Sequence, residues 1–169
     1  MKISLAQKFP QLDFAKNADE WLGSLKEKTI LEQLHERKVA RVVISNRVCH
    51  FNIHALGSFA RIGENFYIKI KDGQSTKEKI FTLGHEIAHT FEIEDNLYYE
   101  ILEFPHFAPN DFPKFLKDMI EEIYKLIESF CDQFAKKWME INGQEKVCLF
   151  FRNFQKEDSF SFIQIMEPS

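Results

Sequence analysis

The stretch Thr76-Lys77-Glu78-Lys79-Ile80-Phe81-Thr82-Leu83-Gly84-His85-Glu86-Ile87-Ala88-His89-Thr90-Phe91 reads as one helix. Ser75 or Thr76 caps it, and Glu78 or Lys79 falls in its first turn. His85 and His89 are four residues apart, so both imidazoles leave the same helix face and can converge on one metal ion. Glu86 points beside that pair, where it can take a proton from a metal-activated water and later return it to a leaving amine. Ile87, Ala88 and Phe91 supply an apolar back face, and Gly84 leaves room for a strand to cross closely. Without such a role, two imidazoles and a carboxylate in so apolar a helix carry an unexplained desolvation cost.

On the N-terminal side, Phe14, Ala18, Trp21, Leu22, Leu25, Ile30, Leu31 and Leu34 recur at mostly helical spacing, with Gly23-Ser24 as a break, which predicts one or two helices over residues 12–38. Val39 to Phe51 is rich in β-branched residues, and Phe66-Tyr67-Ile68-Lys69-Ile70 is a second such run, closed by Lys71-Asp72-Gly73. Two or three strands therefore precede the histidine helix. On the C-terminal side, Leu97 to Pro113 contains Pro105, Pro109 and Pro113, which favours irregular loop beside the site. Leu116, Met119, Ile120, Ile123, Ile127, Phe130, Phe134 and Trp138 then recur every three or four residues, predicting a long core helix from Lys114 to about Met139. Two β-runs, Lys146 to Phe151 and Phe160 to Met166, joined by a polar turn at Lys156-Glu157-Asp158, predict a C-terminal hairpin.

A catalytic zinc usually has three protein ligands and keeps a fourth position for water. The pattern places Glu128 on the long helix beside Leu126, Ile127 and Phe130, as either a charge at the helix edge or the third donor. Asp132 lies one turn further on the same face, where it can accept the second N–H of a metal-bound imidazole. Glu121 is set apart by its i, i+4 pairing with Lys125 on a solvated face. Asp95, six residues after His89, occupies the third-ligand position of metzincin-type proteases, with Met166 as a Met-turn counterpart. That arrangement needs a helix-ending Gly where this chain has Glu92.

The segments Phe81-Thr82-Leu83-Gly84-His85-Glu86-Ile87-Ala88-His89 and Glu128-Ser129-Phe130-Cys131-Asp132-Gln133-Phe134-Ala135 together resemble the ImmA/IrrE family of zinc metallopeptidases. That family has H-E-x-x-H on one helix and a pattern like E-x-x-A-N-x-F-A on a later one. The resemblance spans about residues 39–140, with Cys131 in place of the usual Ala, Asp132 in place of the usual Asn, and a longer gap between the motifs. It implies an α+β, zincin-like single domain: a small sheet packed on the H-E-x-x-H helix, beside a long core helix. It also implies Glu128 as third ligand to one Zn2+ per chain, and a protein or peptide substrate such as a helix-turn-helix repressor.

The expected reaction is peptide hydrolysis, with zinc lowering the pKa of its water toward ~7 and Glu86 as general base. Tyr98, Tyr99, His106 and Arg152 are the candidate donors to the oxyanion, with no ranking among them. His35, His50 and His54 have no ligand spacing. A non-proteolytic, zinc-stapled protein-binding module is the alternative, disfavoured because a structural site has no need of Glu86.

Composition limits the remaining classes. A chain of 169 residues that is 44% hydrophobic and contains 18 Phe can bury a core as one domain. A formal charge of -4 provides no basic field for nucleic acid. The first residues lack an unbroken apolar segment, so neither secretion nor membrane insertion is expected. Cys49, Cys131 and Cys148 form no C-x-x-C pair, suit a reducing cytoplasm, and read as small buried hydrophobes.

Overall fold

The computed structural model describes residues 2–46, 48, 54–93, 113–152, 155–157 and 160–164. Three short helices open the chain: α1 (Leu5–Lys8), α2 (Phe14–Gly23) and α3 (Ile30–Glu36). The break at Gly23-Ser24 falls where the sequence places it. Helix α3 begins in a reciprocal cap, in which Thr29 Oγ1 accepts from the Glu32 N–H and Glu32 accepts from the Thr29 N–H.

Strands β1 (Val39–Ser45), β2 (Gly57–Ile62) and β3 (Asn65–Lys71) follow, then α4 (Thr76–Ile93), α5 (Lys114–Asn142), α6 (Gln144–Arg152), β4 (Gln155–Glu157) and β5 (Phe160–Gln164). The sheet is mixed, in the order β2-β3-β1-β5-β4. β1 and β3 are parallel, while β2 with β3, β1 with β5, and β4 with β5 are antiparallel. Gly63 turns the β2–β3 hairpin with φ of 64°, a conformation that only glycine adopts without steric cost.

One sequence expectation needs correction here. The run Lys146 to Phe151 is helical, because Val147 and Phe150 are buried three residues apart while Leu149 between them is exposed. The hairpin exists but is built from Gln155–Glu157 and Phe160–Gln164. β2 is a strand that hydrophobic alternation could not reveal, since its residues are only partly buried or exposed at the sheet edge. The loop expected from Leu97 to Pro113 lies outside the described residues except for Pro113.

Helix α4 is held between the sheet, through β2 and β3, and α5. Ser75 caps it, its hydroxyl accepting the Glu78 N–H at 3.2 Å and its own N–H donating to the Glu78 carboxylate at 2.7 Å. Phe130, Phe134 and Trp138 of α5 are fully buried, each contributing roughly 1.5–3 kcal/mol by burial. The amide of Gln33 joins this core to α3: it accepts from Trp138 Nε1 at 2.9 Å and donates to Asn142 at 2.7 Å. No helix among the described residues is long and apolar enough to cross a membrane.

Candidate metal centre

Helical spacing delivers the two imidazoles as the sequence requires. His85 and His89 stand four residues apart on α4, with their Nε2 atoms 3.2 Å from each other. Helix α5 crosses this face closely because Gly84 has no side chain. A Cβ there would lie 2.9 Å from Trp138 Cε3 and 3.1 Å from Ala135 Cα. Gly84 thus admits a helix rather than the strand anticipated from sequence. The strand does cross α4, but the glycine that permits it is Gly57 of β2, where a Cβ would lie 2.5 Å from Glu86 Oε1 and 2.6 Å from Thr82 Cγ2. From the same strand, Phe59 stacks on the His89 ring at a centroid distance of 4.6 Å.

The close approach of α5 brings Glu128 to the histidines. One carboxylate oxygen lies 3.1 Å from His85 Nε2 and the other 3.4 Å from His89 Nε2. Behind each ring stands another carboxylate, Asp132 at 2.8 Å from His85 Nδ1 and Glu92 at 2.8 Å from His89 Nδ1. Both nitrogens of each ring face a carboxylate, and the shorter contacts are those at Nδ1; in the neutral tautomer with hydrogen on Nδ1, each Nε2 keeps its lone pair. In that tautomer two lone pairs and the Glu128 carboxylate face one another with only acceptors among them, an arrangement that a cation would satisfy.

The direction of each titration follows from that convergence. Burial is the largest influence on His85 and lowers its pKa, but the Glu128 hydrogen bond and the charges of Glu86 and Glu128 together outweigh burial and the neighbouring His89, and the net shift is upward. Burial also opposes charge on His89, and it is overcome by the groups around the ring: the Cys131 sulfur, the Glu92 charge and the Glu128 hydrogen bond. Burial would raise Glu128, yet its bonds to His85 and His89 hold it well below the ordinary carboxylate range. Glu86 is raised, chiefly because it is buried, with His89 and His85 acting in opposition.

His85, His89 and Cys131 also place potential ligand atoms all within 4.8 Å of one another, a group that could hold a metal ion. Cys131 Sγ approaches His89 at Nδ1, 3.7 Å away, on the opposite side of the ring from Glu128. Burial pushes its thiol pKa up to about 12, so it is a neutral S–H at physiological pH.

Of the residues singled out from sequence, His85, Glu86, His89, Glu128 and Asp132 are brought together. Arg152 is exposed at the last turn of α6. Tyr98, Tyr99 and His106, like Asp95 and Met166 of the metzincin alternative, lie outside the described residues. Cys131 and Glu92 were missed as members of the site. Tyr124, one turn before Glu128, is a further described phenol, and burial followed by the Glu128 charge raises its pKa. A signal for Glu92 was present: a carboxylate three residues after His89, set between Phe91 and Ile93 on an apolar helix. No protein-family model, characterised protein or solved structure matches the chain.

Proposed function

We propose that the chain is a zinc-dependent metallopeptidase of the H-E-x-x-H type, with a zincin-like arrangement of sheet and helices. The observation that carries this reading is the convergence of His85 Nε2, His89 Nε2 and Glu128, with separations of 3.1, 3.2 and 3.4 Å. Ligands about 2.0–2.1 Å from a tetrahedral zinc stand roughly 3.3 Å apart, so the present spacing suits that ion. Two imidazoles and a carboxylate also form a known catalytic donor set, leaving one position open. The resemblance of the two helix motifs to the ImmA/IrrE family points the same way and suggests a regulatory protein, such as a repressor, as substrate.

Bound there, zinc would activate a water and polarise the scissile carbonyl. The chain's own groups do the rest. Glu86 is buried beside the histidines with its carboxyl raised from the ordinary range, which brings its basicity nearer to neutral pH and suits a group that accepts and returns a proton. Gly57 lets the β2 backbone close over that carboxylate and limits its access to bulk water. Asp132 and Glu92 hold the rings by Nδ1, so that Nε2 faces inward. Tyr124 remains a protonated phenol near Glu128 and provides an O–H donor.

The test combines metal analysis with turnover of a quenched-fluorescent random peptide library. Wild type is expected to hold one zinc per chain, His89→Ala and Glu128→Ala to lose it, and Glu86→Gln to keep it while cleavage falls by about 10²–10⁴-fold. Retention of zinc without Glu128 would rule out the ligand set. Equal cleavage by Glu86→Gln would rule out the mechanism and leave the zinc-stapled binding module.

A further inference from the structure

The Nδ1 atom of His89 has two neighbours competing for it. Glu92 Oε1 lies 2.8 Å away and Cys131 Sγ lies 3.7 Å away. On the far side of the ring, Nε2 faces Glu128 and His85. An imidazole that binds a metal through one nitrogen carries hydrogen on the other, so whichever group claims Nδ1 decides which nitrogen is left for the metal. Two ligand sets are therefore written into the same helix pair: His85, His89 and Glu128 through Nε2, or a set that includes Cys131 on the Nδ1 side.

We propose that Glu92 is a positioning residue that keeps hydrogen on His89 Nδ1, commits His89 to binding metal through Nε2 alongside Glu128, and thereby excludes Cys131 from the ligand set. This rests on the metal-site reading above.

The two carboxylates behind the histidines are not equivalent. The Asp132 side chain is 49% exposed, so water screens its charge, whereas that of Glu92 is 1% exposed. A carboxylate so buried is retained only where hydrogen bonds and a nearby cation compensate its desolvation, which otherwise costs several kcal/mol. Glu92 Oε1 has the His89 N–H, but Oε2 meets no donor among the described residues. Its remaining compensation is charge at the far side of the His89 ring, transmitted through a hydrogen bond that strengthens when Nε2 is bound to a cation. The helix fixes the geometry: Glu92 is three residues after His89, so the pair lies on one face without rearrangement of either element.

The experiment uses the full chain, with zinc alone as the probe. Zinc affinity is read against a competing chelator, and the His89 ring tautomer from long-range 1H–15N correlations in the zinc-loaded protein. The variants are Glu92→Leu, which removes the acceptor, and Glu92→Gln, which keeps an acceptor but loses the charge. Wild type is expected to show hydrogen on Nδ1. Glu92→Leu is expected to bind zinc about 10–100-fold more weakly and to lose the fixed tautomer. Glu92→Gln should retain the tautomer with a smaller loss of affinity. Should Glu92→Leu fail to fold, Glu92→Met takes its place with the same two readouts, and wild-type affinity with a wild-type tautomer there overturns the inference. Wild-type affinity together with a wild-type tautomer in Glu92→Leu overturns it as well, while leaving the metal site standing. A wild type that binds no zinc removes the metal-site reading itself, a distinguishable result.

Discussion

Helix α4 is approached closely from two sides, and the approaches touch different kinds of atom. At Gly84 the neighbour is α5, and a Cβ would collide with the Trp138 ring and the Ala135 backbone. At Gly57 the neighbour is α4 itself, met by β2, and a Cβ would collide with the Glu86 carboxylate and the Thr82 methyl. The first contact sets the distance between two rigid elements, and the second sets where the Glu86 carboxylate can sit. Glycine admits a neighbouring helix at one wall of the site and the Glu86 carboxylate at the other, so substitutions of the same size should separate stability from the proposed turnover.

The largest effect is expected from Gly57→Ala. Its φ lies outside the left-handed region, so alanine fits the backbone, and the added methyl must displace the flexible end of Glu86 and crowd the Thr82 methyl. Cleavage of the peptide library should fall by about 100-fold, or ~2.7 kcal/mol of barrier, with zinc content unchanged. An intact kcat/KM in this variant would mean that the strand does not position Glu86.

Gly84→Ala should act on the other wall. Alanine in place of a mid-helix glycine ordinarily gains ~1 kcal/mol, but here overpacking against Ala135 and Trp138 should outweigh that gain. Denaturant unfolding is expected to show a net loss of roughly 1–2 kcal/mol. A stabilised variant would show that α5 yields easily and that the contrast between the two walls fails. Smallest of the three is Cys131→Ala, which removes a buried thiol from the α5 side of His89. A stability loss of about 1 kcal/mol with full zinc occupancy is expected. Loss of zinc in that variant, measured by elemental analysis, would transfer the third-ligand role from Glu128 to Cys131.

The same contrast explains what the sequence made legible. Helix α5 was readable because it buries one face over many turns, and α4 because Ser75 and Glu78 mark its start and its second half is apolar enough to be buried on all sides. The five residues brought together at the site were readable from spacing and motif. Helix α6 was misread as a strand because Val147, Cys148, Leu149, Phe150 and Phe151 form an apolar run too short for its period to show. Strand β2 contains Gly57 and Ala60 and sits at the sheet edge, so it shows little of the burial pattern that marks a central strand. The partner that Gly84 admits could not be known before α5 was placed, because a missing side chain records closeness without recording to what. Cys131 and Glu92 read as ordinary flanking residues until the fold set both against one ring nitrogen.

The pairing of β1 with β5 has a consequence for how the chain must assemble. Arg41 to Ser45 pair with Phe160 to Gln164, and both helices of the candidate metal centre lie in the sequence between them. Closing a loop costs entropy that grows with its length, by about 0.6 kcal/mol per doubling. When α4 and α5 lock together at Gly84, they shorten the chain that β5 must span to find its place beside β1. During synthesis the helix pair emerges first and the strand last, so the helices that build the site also serve as the brace on which the sheet is completed.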